Sequence, residues 1–378
     1  MHPFNHIAHA SVTDVGKKRK NNEDAYAAFP EHGFFCVADG MGGAEDGEVA
    51  SGAVAEGLGR LFARFDPARP LALAAKAAWV DATLNEVSNW TFRRSQDKGN
   101  SGTGTTFVGV AFDPAAPSSA LALHAGDSRV YHWCVGSPHL TQVTVDHSVA
   151  NAVGVADERR LNPAFRNMLM RAVGLAPSVQ VERTPFQVAA GDWVIVCSDG
   201  LSKMVTAEGM MTVLAAAKNP DAAARGLVRA ALDAGGRDNV TVVAIRMGPA
   251  LPAPFPEAGL NTEMPAAPAS DGTDTPTPYT PGTGSTEHTP VTPAMSDYEP
   301  GRAPVRLWVW LWCVGLLLAV LIFSAVARWL SGSLTGAPGG ASVVPPPPET
   351  ESPEEARLRE MREMAERNVR EEASEEKR

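Results

Sequence analysis

The sequence predicts an α+β body followed by a Pro-rich linker, a single membrane-spanning helix and a charged tail. Three observations carry this reading. Up to Gly248, short apolar runs alternate with helix-length segments. Beyond that point prolines concentrate: residues 1–248 hold 11 of the 30, and residues 249–378 hold 19. Residues 307–327 (LWVWLWCVGLLLAVLIFSAVA) run for 21 positions without a charge, long enough as a helix to cross a hydrocarbon core.

The chain of 378 residues is 44% hydrophobic, which excludes wholesale disorder. Its formal charge of −10 lies mostly outside the body. Residues 1–248 carry 25 acidic and 23 basic residues, against 18 and 10 in the remainder. A near-neutral body argues against nucleic acid as a partner, and the short basic run at residues 17–20 does not change that. The four cysteines (36, 134, 197 and 313) have no close spacing, so neither a disulfide scaffold nor a CxxC zinc site is expected. Cys36 and Cys197 sit inside apolar runs, as core residues do.

The elements follow in order. Residues 33–38 (GFFCVA) read as a strand ending at Asp39-Gly40. Residues 48–64 and 70–90 read as two helices, and 105–112, 120–125 and 129–135 as consecutive strands. Residues 192–197 (DWVIVC) form another strand, ending in Ser198-Asp199-Gly200. Helices are expected at 207–217 and 221–234, and a last strand at 240–247 behind Asp238-Asn239.

Residues 249–304, rich in Pro, Thr, Ala, Ser and Gly, cannot bury enough apolar surface to offset ordering and read as an extended linker. Residues 305–329 form the span. Arg306 and Arg328 bracket its uncharged run 307–327, and Trp308, Trp310 and Trp329 lie near its ends, as interfacial aromatics do. Residues 330–378 begin Pro-rich and end in a charged helix. That helix starts at Ser352-Pro353 and carries Glu355/Arg359, Glu363/Arg367 and Glu366/Arg370 in the favourable i,i+4 order. The first residues lack the apolar stretch of a secretory signal. The expectation is a single-pass protein of the cell inner membrane, with the body cytoplasmic and the tail on the far side.

One device recurs in the body. Short strands end in Asp beside Gly or Asn: Asp39-Gly40, Gly126-Asp127, Asp199-Gly200 and Asp238-Asn239. Each alone is an ordinary Asx-turn. Brought together, such carboxylates repel and raise one another's pKa unless a cation neutralises them. The ligand type is oxygen throughout, which suits a hard divalent ion.

Seven motifs occur in sequence order: Arg19-Lys20-Asn21-Asn22-Glu23-Asp24, Ala38 to Gly43 (ADGMGG), Gly102 to Thr106 (GTGTT), Gly126-Asp127-Ser128-Arg129, Thr144 to Ser148 (TVDHS), Ser198-Asp199-Gly200, and Gly236 to Thr241 (GRDNVT). This set resembles the metal-dependent protein Ser/Thr phosphatase (PPM) family, the protein phosphatase 2C type, in its bacterial form. The match spans residues 11 to 247.

The resemblance implies a four-layer α-β-β-α sandwich of two mostly antiparallel sheets, with metal ions at one end. It implies two Mn²⁺ or Mg²⁺ ions. Asp39 would bridge them, Asp199 and Asp238 would complete the first, and the Gly40 carbonyl with Glu23 or Asp24 through water would serve the second. Asp127 and Asp146 match positions that hold a third, weaker ion. Arg19 matches the phosphate-binding arginine, a role its forked guanidinium suits. Asp39 and Arg19 are thereby the catalytic pair, with water activated between the ions as nucleophile.

The chain also departs from the pattern. Met41 stands where many eukaryotic members have His and cannot donate a proton, which leaves the leaving-group acid to water at the ions. His147 reads as a structural hydrogen-bonding residue. The flap, residues 154–167, has Asn162 before Pro163 where His is expected, which bears on substrate preference.

The implied function is hydrolysis of phosphoserine and phosphothreonine on proteins, opposing a Ser/Thr kinase. The alternatives are a catalytically weak membrane scaffold or sensor of the same fold, and a phosphatase acting on an anti-sigma-type partner.

Overall fold

The computed structural model describes residues 2–42, 46–99, 102–152 and 168–263. The 307–327 run, the charged tail, the flap at 154–167 and the linker beyond residue 263 lie outside them. No helix among the described residues is long and apolar enough to cross a membrane.

Two antiparallel sheets form the body. The first orders its strands β1 (Ile7–Asp14), β11 (Val240–Met247), β10 (Trp193–Cys197), β7 (Arg129–Trp133) and β8 (Thr141–Gln142). The second orders β2 (Asp24–Phe29), β3 (Phe34–Met41), β5 (Phe107–Phe112), β6 (Ser119–Ala125) and β9 (Glu182–Gln187), with β4 (Gly104–Thr105) pairing the end of β3. Helices α1 (Asp46–Phe62) and α2 (Leu73–Asp97) cover the second sheet. Helices α5 (Ala207–Ala216) and α6 (Pro220–Asp233) cover the first. Two short α-helices, α3 (Val149–Ala152) and α4 (Asp199–Ser202), and two 3-10 turns, Pro30–His32 and Glu257–Gly259, complete the described elements.

Strand side chains alternate between faces, and each central strand feeds two cores. In β3, Phe34, Cys36 and Ala38 pack under α1 and α2, while Phe35 and Val37 point between the sheets. In β10, Ile195 and Cys197 pack under α5 and α6, while Val194 and Val196 face the other sheet. Burial on both faces explains why these strands read as unbroken apolar runs. The three cores make the four layers the resemblance implies. Both cysteines are core residues, their thiols pushed up to about 12 by burial.

Several differences from the sequence reading have local causes. The strand expected at 105–112 is split at Thr106, which bonds to the backbone of Asp39 instead of continuing the ladder. Helix α2 runs to Asp97, seven residues past the expected end, with Thr91 and Ser95 buried on its inner face. Strands β1, β2 and β9 were not expected. They are edge strands with few fully buried residues, and Pro185 in β9 is tolerated at a sheet edge. Helices α5 and α6 start where Thr206 and Asn219 accept backbone N–H groups of Gly209 and Ala222.

The chain stays on the body past Gly248. Leu251 packs against the inter-sheet core. The Phe255 N–H donates to Pro114 O at 2.8 Å, and Asn261 exchanges two backbone bonds with the Pro70–Ala72 segment. The docked chain therefore extends to Asn261, beyond the composition boundary.

Candidate active site

The antiparallel pairing brings the Asp-bearing ends to one end of the sandwich. β3 and β10 arrive there, and β2, β7 and β11 leave from it. Asp39, near the end of β3, is the cross-strand partner of Asp24 at the start of β2. The Asp39 backbone is clamped by Thr106: its N–H donates to Thr106 Oγ1 at 3.0 Å, and its carbonyl accepts the Thr106 N–H at 2.8 Å. Thr106 Oγ1 in turn lies 2.7 Å from Ser128 Oγ, tying the Gly126–Ser128 turn to the same point.

Asn239 holds the other side together. Its Oδ1 accepts the Glu23 N–H at 2.9 Å, and its Nδ2 donates to Val15 O and Asn21 O at 3.0 and 2.9 Å. The loop carrying Arg19 and Glu23 is thereby fastened to the turn carrying Asp238. Two glycines allow the close approach of the segments. A Cβ at Gly200 would stand 1.8 Å from Asn239 O, and one at Gly40 would stand 2.2 Å from Gly47 O.

Arg19 reaches across to Asp238, its Nη2 donating to Oδ2 at 2.8 Å. Burial alone lowers its pKa, but the charges of Asp238, Glu23 and Asp39 outweigh this and raise it. The Glu23 carboxylate lies beside Gly47 at the start of α1. Burial raises its pKa, with Arg19 partly opposing. Asp24 faces the opposite sheet, where Ser198 Oγ and Thr241 Oγ1 donate to its Oδ2 at 2.8 and 2.7 Å. Burial lifts its pKa to about 7 in spite of those donors. Asp39 is held well above the usual carboxylate range, first by burial and then by the charges of Asp24, Asp199, Asp127 and Asp238.

This donor set fits hard divalent cations. Asp24, Asp39, Asp127, Asp199 and Asp238 converge and are faced by Arg19 and Lys203, and Asp24 Oδ1 is buried with no hydrogen-bond partner. Asp39 is raised first by burial and then by the neighbouring carboxylates, and a divalent ion would offset both.

Asp127 and Asp146 also lie at this end, but each meets a protein cation. Lys203 Nζ donates to Asp127 Oδ2 at 3.2 Å and to Asp199 Oδ2 at 2.6 Å. Arg129 grips Asp146 through Nε (2.9 Å) and Nη2 (2.6 Å), and Gln142 adds a bond at 3.0 Å. His147 stacks on His124 with ring centroids 4.4 Å apart. Its Nδ1 accepts the Gly126 N–H at 3.2 Å, which makes Nε2 the protonated nitrogen facing Glu182 Oε2 at 3.0 Å. Burial lowers its pKa to about 4.

Lys203, Arg129, Ser198 and Thr241 escaped the sequence reading as site residues. Lys203 had a signal, since it lies one helical turn after Asp199. Ser198 and Thr241 sat inside quoted motifs but gave no hint of a shared partner.

Comparison with known proteins agrees with this geometry. The family model described as protein phosphatase 2C matches residues 16–233. A putative protein phosphatase 2C-type of Streptococcus pyogenes is 30% identical over 62% of this chain and 94% of its own length. The Ser/Thr protein phosphatase PstP of Mycobacterium tuberculosis is 34% identical over 63% of this chain and 44% of its own. Among solved structures, PppA of Pseudomonas aeruginosa aligns with a TM-score of 0.57 at 32% identity, over 65% of this chain and 99% of that one. The PstP catalytic domain in complex with two manganese ions aligns at 0.53 and 32% identity, over 64% of this chain and 98% of that one. With this fold, this cluster and this match, the chain belongs to the protein phosphatase 2C family.

Proposed function

We propose that this protein phosphatase hydrolyses phosphoserine and phosphothreonine on proteins at the carboxylate cluster around Asp39, while tethered to a membrane and opposing a Ser/Thr kinase. The observation that carries the reading is the convergence of Asp39, Asp199, Asp238 and Glu23 beside Arg19. In this assignment Asp39, Asp199, Asp238, the Gly40 carbonyl and Glu23 or Asp24 would hold two Mn²⁺ or Mg²⁺ ions. When bound, the ions neutralise the carboxylates and lower the pKa of water held between them.

The chain supplies the rest. Thr106 fixes the Asp39 backbone, so its carboxylate is preorganised. A guanidinium has five N–H donors, so Arg19 can stay paired with Asp238 and still clamp two phosphate oxygens. Met41 carries no proton, so the leaving serine or threonine oxygen takes its proton from water.

The tether is supported by the uncharged 307–327 run and its flanking Arg306 and Arg328. The Pro-rich segment before it gives the body reach over the membrane surface. Comparing phosphoproteomes of a deletion strain and an Asp39→Asn strain tests the substrate class. The same phosphoserine and phosphothreonine sites accumulate in both, and unchanged sites contradict the reading. Protease added outside intact cells trims the 349–378 tail and spares the body; cleavage of the body contradicts the topology. A scaffold role is the alternative, and the complete set of acidic residues favours catalysis over it.

A further inference from the structure

We propose that Lys203 is a resident cation of the acidic site, lying between Asp127 and Asp199 and bound to Asp127 where the resemblance implies a third divalent ion, so that the protein binds two ions and not three. The proposal rests on the two-ion reading above and deepens it.

The geometry is specific. Lys203 follows α4 directly, and its backbone N–H donates to Asp199 O at 2.8 Å. That bond places the side chain one turn above Asp199, the residue that starts the helix. From there the ammonium spans two segments far apart in sequence, the Gly126–Ser128 turn before β7 and the start of α4. Neither acid is a surface group: the Asp127 and Asp199 side chains are 12% and 16% exposed.

The second acid expected at a third ion is matched as well. Arg129 holds Asp146 through two nitrogens, and its Nη1 donates to Tyr131 Oη at 2.9 Å, which fixes the guanidinium plane. Lys203 is shared between Asp127 and Asp199, and Arg129 is given to Asp146, so each acid expected at a third ion already meets a protein cation. A hard divalent ion takes roughly six or more oxygen ligands. Here it would have to displace an ammonium from Asp127 and a guanidinium from Asp146, and then sit beside both cations. Asp39 meets no lysine among the described residues, and Lys203 engages Asp199 through Oδ2, which leaves Oδ1 of Asp199 to the two-ion part of the cluster.

An ammonium differs from a divalent ion in one useful way. It carries a single charge and stays with the chain, so it offsets part of the charge of Asp127 and Asp199 at any metal concentration. It neither activates water nor depends on supply. The site is thereby insensitive to the weakly held ion that the resemblance implies.

The test counts ions rather than turnover. The full-length protein is equilibrated with increasing Mn²⁺, and bound manganese per chain is measured by native mass spectrometry and by equilibrium dialysis. The wild type and Lys203→Arg saturate at two ions. Lys203→Ala and Lys203→Asp bind a third, more tightly in Lys203→Asp because a carboxylate replaces the cation. Melting curves confirm that each variant is folded, and Lys203→Asn serves as the neutral polar variant if Lys203→Ala is not. Three ions in the wild type overturn the proposal, as does a count fixed at two in every folded variant. A wild type that binds no manganese overturns the two-ion reading itself, a result distinct from both.

Discussion

Asp24 and Asp39 are cross-strand partners on β2 and β3, and only Asp24 receives hydroxyl donors, from Ser198 and Thr241 on the opposite sheet. Both carboxyls hold protons well above the unfolded range, Asp24 with a pKa of about 7 and Asp39 raised as well, mainly through burial. A raised folded pKa means that the folded state binds more protons than the unfolded chain between the two values. The stabilisation is complete below the unfolded pKa of about 3.9 and is lost as pH rises through the folded value. The metal-free protein is therefore expected to lose stability as pH rises from about 4 towards 7, the range that Asp24 sets. Thermal melts in chelator check the direction. Saturating Mn²⁺ removes the trend, because it binds the ionised form. A chelated protein that gains stability over this range contradicts the electrostatic account.

Arg19 pairs with Asp238 at 2.8 Å and is half exposed, as a residue meeting substrate must be. Arg19→Ala is expected to lower kcat/KM for a phosphopeptide by about 10²-fold, the scale of losing one preorganised donor to transition-state charge. Arg19→Lys recovers only part, since a point charge cannot form the bidentate clamp. Steady-state kinetics with manganese counting distinguishes this from metal loss: Arg19→Ala keeps its ions.

Gly200 lies where α4 meets the Asp238–Asn239 turn. Gly200→Ala puts a methyl 1.8 Å from the Asn239 carbonyl oxygen, and a backbone atom cannot swing away as a side chain can. The expected cost is about 2–3 kcal/mol, typical of overpacking, together with weaker Mn²⁺ binding as Asp199 and Asp238 are pushed apart. Denaturant unfolding and manganese titration measure the two effects.

The docked segment after Gly248 gives a test of the domain edge. A chain ending at Gly248 loses the Asn261 and Phe255 backbone bonds and the Leu251 contact. Three such bonds, each worth roughly 0.5–1.5 kcal/mol net, make it about 1.5–4.5 kcal/mol less stable than a chain ending after Glu263. Paired urea melts decide this, and equal midpoints contradict the docking.

The central strands were legible because burial on both faces leaves an apolar signature, as in 33–38 and 192–197. The edge strands β1, β2 and β9 were not, because few of their residues are fully buried and no period stands out. The acids of the site were legible as strand-end Asp motifs, but their partners were not. Nothing in sequence order shows that Thr241 and Ser198 share Asp24, or that Thr106 splits a strand to clamp Asp39. Lys76 makes the same point. It lies in α2, is buried, and donates to His32 O and Phe112 O. Side chains that satisfy backbone groups across the fold leave no local pattern to read.

The central claim is that Asp39 organises a metal-dependent phosphoester hydrolase. The most direct test is Mn²⁺-dependent hydrolysis of p-nitrophenyl phosphate by the full-length protein and by Asp39→Asn, with both shown to be folded. The account predicts turnover that rises with Mn²⁺ in the wild type and a loss of about 10³-fold or more in the variant, on the scale of removing one preorganised catalytic group or more. Undiminished Mn²⁺-dependent turnover in Asp39→Asn would contradict it.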